Sequence, residues 1–267
     1  MNKRFFVLIL FIIPIILRSQ GEIDTEQKIF YRNEKTMALL LSTNGFGFDF
    51  SYAKRLDGYK KILYQIDIVE IKHPKEVKFS YASSLFQTSS GFVYGKLNKF
   101  FDLRIGTGLQ KEIYRKIDRG GVSIRKNFTL GADIGFEKPQ YYVMVDYISG
   151  ITEVRTTRKF DVSNHSSNNI ERNASFFMGF REIRVTPGAF AKYSFTFEFG
   201  KYDEVINAIE GGIVVDAFPR PIKLMAFNNH DFIFVSLYLS YRFGKVIDSR
   251  FKTRKNKIDK IISNQAN

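Results

Sequence analysis

The sequence predicts an all-β chain, an antiparallel up-and-down transmembrane β-barrel of eight to ten strands behind an N-terminal export signal. Three observations predict it. The chain opens on a secretory-type leader, and long segments alternate apolar and polar residues with a period of two. After Leu17 no stretch holds 18 consecutive apolar residues, so a membrane crossing falls to strands whose backbone groups pair with one another.

The leader has Lys3 and Arg4, the apolar run Phe5 to Leu17, then Arg18, Ser19 and Gln20. About 13 apolar residues broken by Pro14 fall short of the roughly 20 that span a bilayer, so cleavage near Gln20 and Gly21 is expected rather than a retained anchor. The chain has no Cys, which excludes a lipid-modified N-terminal cysteine and any disulfide framework. Loss of the leader lowers the formal charge from +14 to +11, a balance suited to anionic headgroups, lipopolysaccharide phosphates or an acidic partner. Export removes the chain from the compartment where nucleic acid is plentiful, so nucleic acid is not an expected partner. The expected organisation is a signal peptide at 1–20, a periplasmic segment at 21–35, the barrel at 36–244 and a basic periplasmic tail at 245–267. The tail carries a net +5 and is free to touch a periplasmic or secretion-complex protein.

Eight segments carry the alternation. Met37 to Lys54 places Phe46, Phe48, Phe50 and Tyr52 on one face. Lys61 to Ile71 sets Ile62, Tyr64, Ile66 and Ile68 against Leu63, Gln65, Asp67 and Val69. Lys99 to Gln110, Val122 to Phe136 and the shorter Tyr141 to Tyr147 follow, then Pro187 to Phe199, Val205 to Ala217 and Asp231 to Gly244. The last of these is the clearest, with Ile233, Val235, Leu237, Leu239, Tyr241 and Phe243 opposite a face that turns polar through Ser236, Ser240 and Arg242. Most of these segments run 10 to 15 residues or so, longer than the 5 or 6 usual in soluble sheets. With no Trp, aromatic girdles fall to 14 Tyr and 28 Phe.

Short connections at Glu137 to Gln140 and Gly200 to Glu204 read as periplasmic turns. Arg115 to Gly121, Ile148 to Thr186 and Phe218 to His230 then read as outward loops. Under that count Lys72 to Asn98 is an awkwardly long periplasmic link. A strand pair within it, or a hairpin at Asn44-Gly45, would raise the count to ten, although the unbroken aromatics of 46–52 favour one continuous strand.

Alternation alone leaves open a soluble lipocalin-like barrel or sandwich. The leader, the strand lengths, the loop asymmetry and the charges opposite the apolar face favour lipid outside. On that reading Asp49, Asp67, Asp102, Arg104, Arg125, Asp133, Lys192, Glu198, Glu210, Asp216 and Arg242 share the lumen, where charges of both signs pair and fill a narrow barrel. A narrow solute path lined by the same groups is the alternative, and needs a wider barrel.

His73, His165 and His230 are scattered through connections without a metal-ligand spacing such as HExxH, so no catalytic residue, metal or cofactor is expected. A barrel enzyme acting on lipid A or peptides is the remaining, weaker reading. Two basic loops, with Lys72, Lys75 and Lys78 in one and Arg115, Lys116 and Arg119 in the other, are candidates for binding anionic groups such as lipid A phosphates.

The blocks KHPKE at 72–76, YGKLN at 94–98, EKPQYY at 137–142, TPG at 186–188 and YRFGK at 241–245 resemble a family of uncharacterised exported barrel proteins of gram-negative bacteria. The resemblance runs over most of the mature chain and implies the outer membrane without implying an activity. YRFGK also resembles the aromatic-ending last strand read by barrel-assembly machinery, although more than 20 residues follow it here. The expected role is therefore a non-enzymatic structural or accessory component of the envelope or of a secretion assembly.

Overall fold

A computed structural model describes residues 32–79, 91–116, 120–148, 152–161, 170–200, 205–227 and 231–247. Eight long strands close into one antiparallel barrel: β1 (Asn33–Ser42), β2 (Gly45–Arg55), β3 (Lys60–Ile71), β6 (Asn98–Tyr114), β7 (Ser123–Pro139), β11 (Arg184–Glu198), β12 (Val205–Ile222) and β13 (Asp231–Ile247). Each barrel strand pairs with its neighbours in chain order, and β1 pairs with β13 to close the sheet, so no edge strand is left. Two short strands, β4 (Lys78–Phe79) and β5 (Phe92–Val93), pair outside the barrel. So do β8 (Tyr141–Ile148), β9 (Thr152–Lys159) and β10 (Ile170–Asn173), which form a separate three-stranded sheet.

Eight is the number of alternating segments, but not with the same members. Met37 to Lys54 is a hairpin, β1 and β2, turning at Thr43 and Asn44. Gly45 opens β2 because a side chain there would meet the Glu70 carbonyl oxygen at 1.8 Å. Tyr141 to Tyr147 is a strand, but it pairs with β9 and β10 and lies outside the barrel wall. The barrel strands begin three residues before the expected limit at 36 and end three after 244.

These changes re-sort the two ends. Both barrel termini share one end with the connections 56–59, 115–122 and 199–204, and the other end carries 43–44, 72–97, 140–183 and 223–230. The long connections thus gather at the end away from the termini, which is the outer side by the barrel rule. Glu137 to Gln140 is therefore not a periplasmic turn, Lys72 to Asn98 is not a periplasmic link, and Arg115 to Gly121 is not an outward loop. A strand gained at 33–42 and one lost at 141–148 leave the count at eight while inverting every assignment between them.

At the outer mouth, Val69, Ile71, Phe100, Phe218, Ile222, Leu224, Met225 and Phe234 form an apolar cluster. The rings of Phe100, Phe218 and Phe234 lie 5.4–6.1 Å apart. The 223–227 segment lies across this plug, with Leu97 and Ala226 N–H groups donating to Leu224 and Gly95 carbonyls at 2.9 and 2.8 Å. Above it Phe92, Tyr142, Met144, Phe160 and Ile170 make the core of the small sheet. The Tyr142 hydroxyl is 2.7 and 2.9 Å from the carbonyls of Val93 and Lys96, and burial raises its pKa.

Candidate functional site

Which face each strand turns outward decides what the barrel is. Phe195, Phe197, Leu237 and Leu239 are 38, 43, 57 and 57 % exposed on the outer wall, whereas Asp102, Arg125 and Glu198 are at most 8 % exposed inside. The same division holds around the ring. Met37, Leu39, Leu41, Phe48, Phe50, Ile66, Ile68, Ile105, Leu130 and Ile213 are exposed, and their chain neighbours turn inward and are buried or half-buried. A wall apolar in every strand and closed around charges has the polarity of a membrane-spanning barrel, and the inverse of a soluble one. The chain is a β-barrel of the outer-membrane type.

The interior is layered. At the termini end Glu34 pairs with Lys61 and with Arg125 (3.0 Å), Arg125 reaches Glu198, and Lys116 joins from the loop at 3.1 Å. Deeper, Arg242 binds Asp49 (2.7 Å), Glu210 (2.9 Å) and the Thr36 hydroxyl (2.9 Å). Lys192 bridges Asp67 and Asp49 at 3.0 and 3.3 Å with its ammonium 4.7 Å from the Tyr238 ring centroid. Glu210 also accepts from Tyr238 (2.6 Å) and Ser194 (3.0 Å). Next comes the ring of Phe190, which fits because Gly106 and Gly131 face each other across β6 and β7; a side chain at either would strike it at 2.6 Å. Beyond it Arg104 makes a two-pronged bond to Asp216 at 2.8 and 2.7 Å, and the apolar plug closes the outer mouth.

All eleven lumen candidates are buried and share this interior. Glu34 and Lys61 belong to it too. Glu34 precedes the segment assigned as a strand, whereas Lys61 had the right parity to be found. Below the apolar plug, eight buried carboxylates (Glu34, Asp49, Asp67, Asp102, Asp133, Glu198, Glu210, Asp216) thus meet five buried cations (Lys61, Arg104, Arg125, Lys192, Arg242), while Glu137 at the outer rim is held by Arg220 and Thr186. The excess is greatest beside Arg104, where oxygens of Asp102, Asp133 and Asp216 lie within 4.8 Å of one another. Neither Asp133 oxygen has a hydrogen-bond partner. Three carboxylates are the donor type of a hard cation, but Arg104 already takes both oxygens of Asp216 and lies 3.0 Å from Asp102.

Of the six candidate anion-binding residues, the five that are described do not converge. Lys72 pairs with Glu70 at 3.6 Å and lies over the Phe46 ring at the outer end, near Lys75 and Lys78 in the same connection. Arg115 is at the opposite end, donating to the Gly58 carbonyl (2.8 Å), 3.5 Å from Glu112 and stacked on Tyr59, and Lys116 is held by Glu198. Arg119 lies outside the described residues, as do His165 and His230. His73 shapes its own turn, its Nδ1 accepting from the Lys75 N–H at 3.1 Å. In the 56–59 turn Asp57 accepts from the N–H groups of Tyr59 (2.8 Å) and Lys60 (2.7 Å), which lowers its pKa. On the outer wall near the termini, a groove of about 670 Å³ is lined by Met37, Phe50, Tyr52, Tyr64, Ile66 and Phe243.

No family model and no curated protein matches the chain. Among solved structures it is similar to Neisserial surface protein A, at 9 % identity and TM-score 0.37, covering 80 % of this chain and 95 % of that one. It is also similar to Ail, the attachment invasion locus protein of Yersinia pestis, at 9 % identity and TM-score 0.38. That match covers 82 % of this chain and 99 % of Ail alone, and 81 % and 98 % for Ail in complex with the heparin analogue sucrose octasulfate. The barrel assignment rests on the chain's own strand register and on its inverted burial.

Proposed function

We propose that the protein is a closed, non-enzymatic integral barrel of the outer membrane, a structural or accessory component that carries its small outer sheet above the membrane. The observation that carries this reading is the filling of the lumen. Ion pairs fill it from the Glu34–Arg125 layer at the termini end to Arg104–Asp216, and the plug of Phe100, Phe218 and Phe234 seals the outer mouth. An ion crossing it would have to break buried pairs and then pass an apolar layer that cannot solvate it. In this reading the leader at 1–20 directs export, and the basic tail after Ile247 lies in the periplasm, where a partner of the envelope or of a secretion assembly would meet it.

The test is single-channel recording of the refolded mature chain in planar bilayers. The expected result is a silent membrane; steady unitary openings that survive in a Phe100→Leu variant and grow in Phe218→Ala would establish a pore instead.

A further inference from the structure

Lys99 and Lys138 stand directly opposite each other across β6 and β7, at the outer rim and on the lipid-facing side of the wall. Like charges so placed repel. Among the described residues no carboxylate lies within ion-pair distance of either: Glu70 is engaged by Lys72, Glu76 by Lys96 at 2.6 Å and Glu182 by Lys159. What both ammoniums meet is one aromatic face, Phe176, at 5.1 and 5.0 Å, with Phe180 5.5 Å from Lys138. Lys138 is only 2 % exposed. One ring attracts each cation without neutralising it, which leaves two neighbouring like charges without a counter-ion at ion-pair distance.

The aromatic turn that covers the pair is built into the wall. Gly179 holds it with φ +87°, against the Pro139 carbonyl where a side chain would come within 2.9 Å, and Tyr141 ties its far end through Glu182 at 2.6 Å. The turn leaves Phe177 80 % exposed, with Met178 and Val185 exposed beside it, so the apolar belt continues upward past the two lysines.

We propose that Lys99 and Lys138, clasped by Phe176 and Phe180, bind the phosphate of a phosphorylated lipid headgroup in the outer leaflet, with Phe177 and Met178 against its acyl chains. A phosphate presents several anionic oxygens to two ammoniums and supplies the charge-assisted bonds that this pair lacks. An anion at this height, bordered by apolar belt, comes attached to lipid. The inference rests on the barrel and orientation argued above.

The experiment uses the mature chain in phosphatidylcholine nanodiscs, titrated with fluorescent lipid A and with the same lipid after phosphatase treatment. Binding is expected for the phosphorylated form, weaker by at least about tenfold for the dephosphorylated form and for Lys99→Gln/Lys138→Gln, since two charge-assisted bonds are lost. Lys223→Gln, an exposed lysine of another loop at the same end, is expected to bind within about twofold of the parent, and heat-modifiable gel mobility checks that each variant is folded. Equal binding by the parent and the double lysine variant, or by both lipid forms, would overturn the proposal. Full displacement by millimolar inorganic phosphate would also overturn it, by assigning the pair to a free anion. If the chain fails to float with liposomes at all, the barrel reading falls; flotation without phosphate selectivity sinks only this inference.

Discussion

Arg104 and Asp133 are register partners on β6 and β7, yet Arg104 is bonded twice to Asp216 while both Asp133 oxygens lack a donor. The two residues therefore have opposite energetic signs. Removing Arg104 leaves Asp102, Asp133 and Asp216 buried without their cation, so Arg104→Met is expected to cost about 3–5 kcal/mol. Asp133→Asn replaces a buried carboxyl whose oxygens meet no donor. Its amide would also bring a donor to the Asp102 and Asp216 oxygens within 4.8 Å. A gain of about 1–3 kcal/mol is expected. Urea unfolding in detergent, followed by gel mobility, measures both; a destabilised Asp133→Asn would mean that this carboxylate is held by a group of its own. The membership of the lumen was legible at this scale because a strand shows alternate residues to opposite faces, so Asp102, Arg104, Lys192 and Glu210 declare a shared side before any partner is known. Which charge meets which was not legible. Arg104 and Asp216 are 112 residues apart and meet only once the ring has closed.

Strands were easier to recognise than their neighbours. The period of two identifies Tyr141 to Tyr147 as extended, but it is blind to whether that strand joins the wall or the small outer sheet. The hairpin at 43–44 shows only as a reversal of parity, the outward face passing from Met37, Leu39 and Leu41 to Phe46, Phe48 and Phe50, because a two-residue turn between paired strands keeps Leu41 and Phe46 on the same outer face. The outer sheet is fastened to the wall by a surface clasp of Lys159 on β9, Glu182 in the short 3-10 turn Phe180–Glu182, and the Tyr141 hydroxyl. Hydrogen bonds from Lys159 and Tyr141 lower the pKa of Glu182 from 4.5, while the bond to Glu182 raises Lys159 from 10.5 and Tyr141 from 10.0. The signs follow. Glu182 contributes fully above pH 4.5, and its contribution is lost as pH falls through its lowered value; Lys159 and Tyr141 contribute below their ordinary values and cease to as pH rises through their raised ones. Normalised amide-exchange protection across 154–159 is therefore expected to be flat from about pH 5 to 10 and to drop on both sides. The effect is modest and weakens with added salt, since all three groups are exposed. Glu182→Gln should remove the acidic limb, and an unchanged profile in that variant would show that the sheet is held by its apolar core alone.

For the whole molecule, orientation is the property on which the lipid site and the periplasmic tail both depend. It comes from which loops share an end: 72–97 and 140–183 lie together, away from both barrel termini, so the shorter turns and the termini face the periplasm. The chain contains no Cys, so single-cysteine variants report position without background. Val77→Cys, exposed in a long loop, and Leu56→Cys, exposed in a turn at the termini end, test the two sides. Leu237→Cys tests the outward belt, and Ser236→Cys, one residue away, tests the sealed interior. With a membrane-impermeant maleimide on intact gram-negative cells, Val77→Cys should label at once and Leu56→Cys only after the outer membrane is permeabilised. Leu237→Cys should resist that reagent yet react with a lipid-soluble one, because its neighbours on the wall are acyl chains. Ser236→Cys should resist both until the barrel is unfolded, because the lumen is filled rather than wet. Exchange of the Val77 and Leu56 results would turn the barrel over and move Lys99 and Lys138 to the periplasmic leaflet, where the lipid proposed for them is absent.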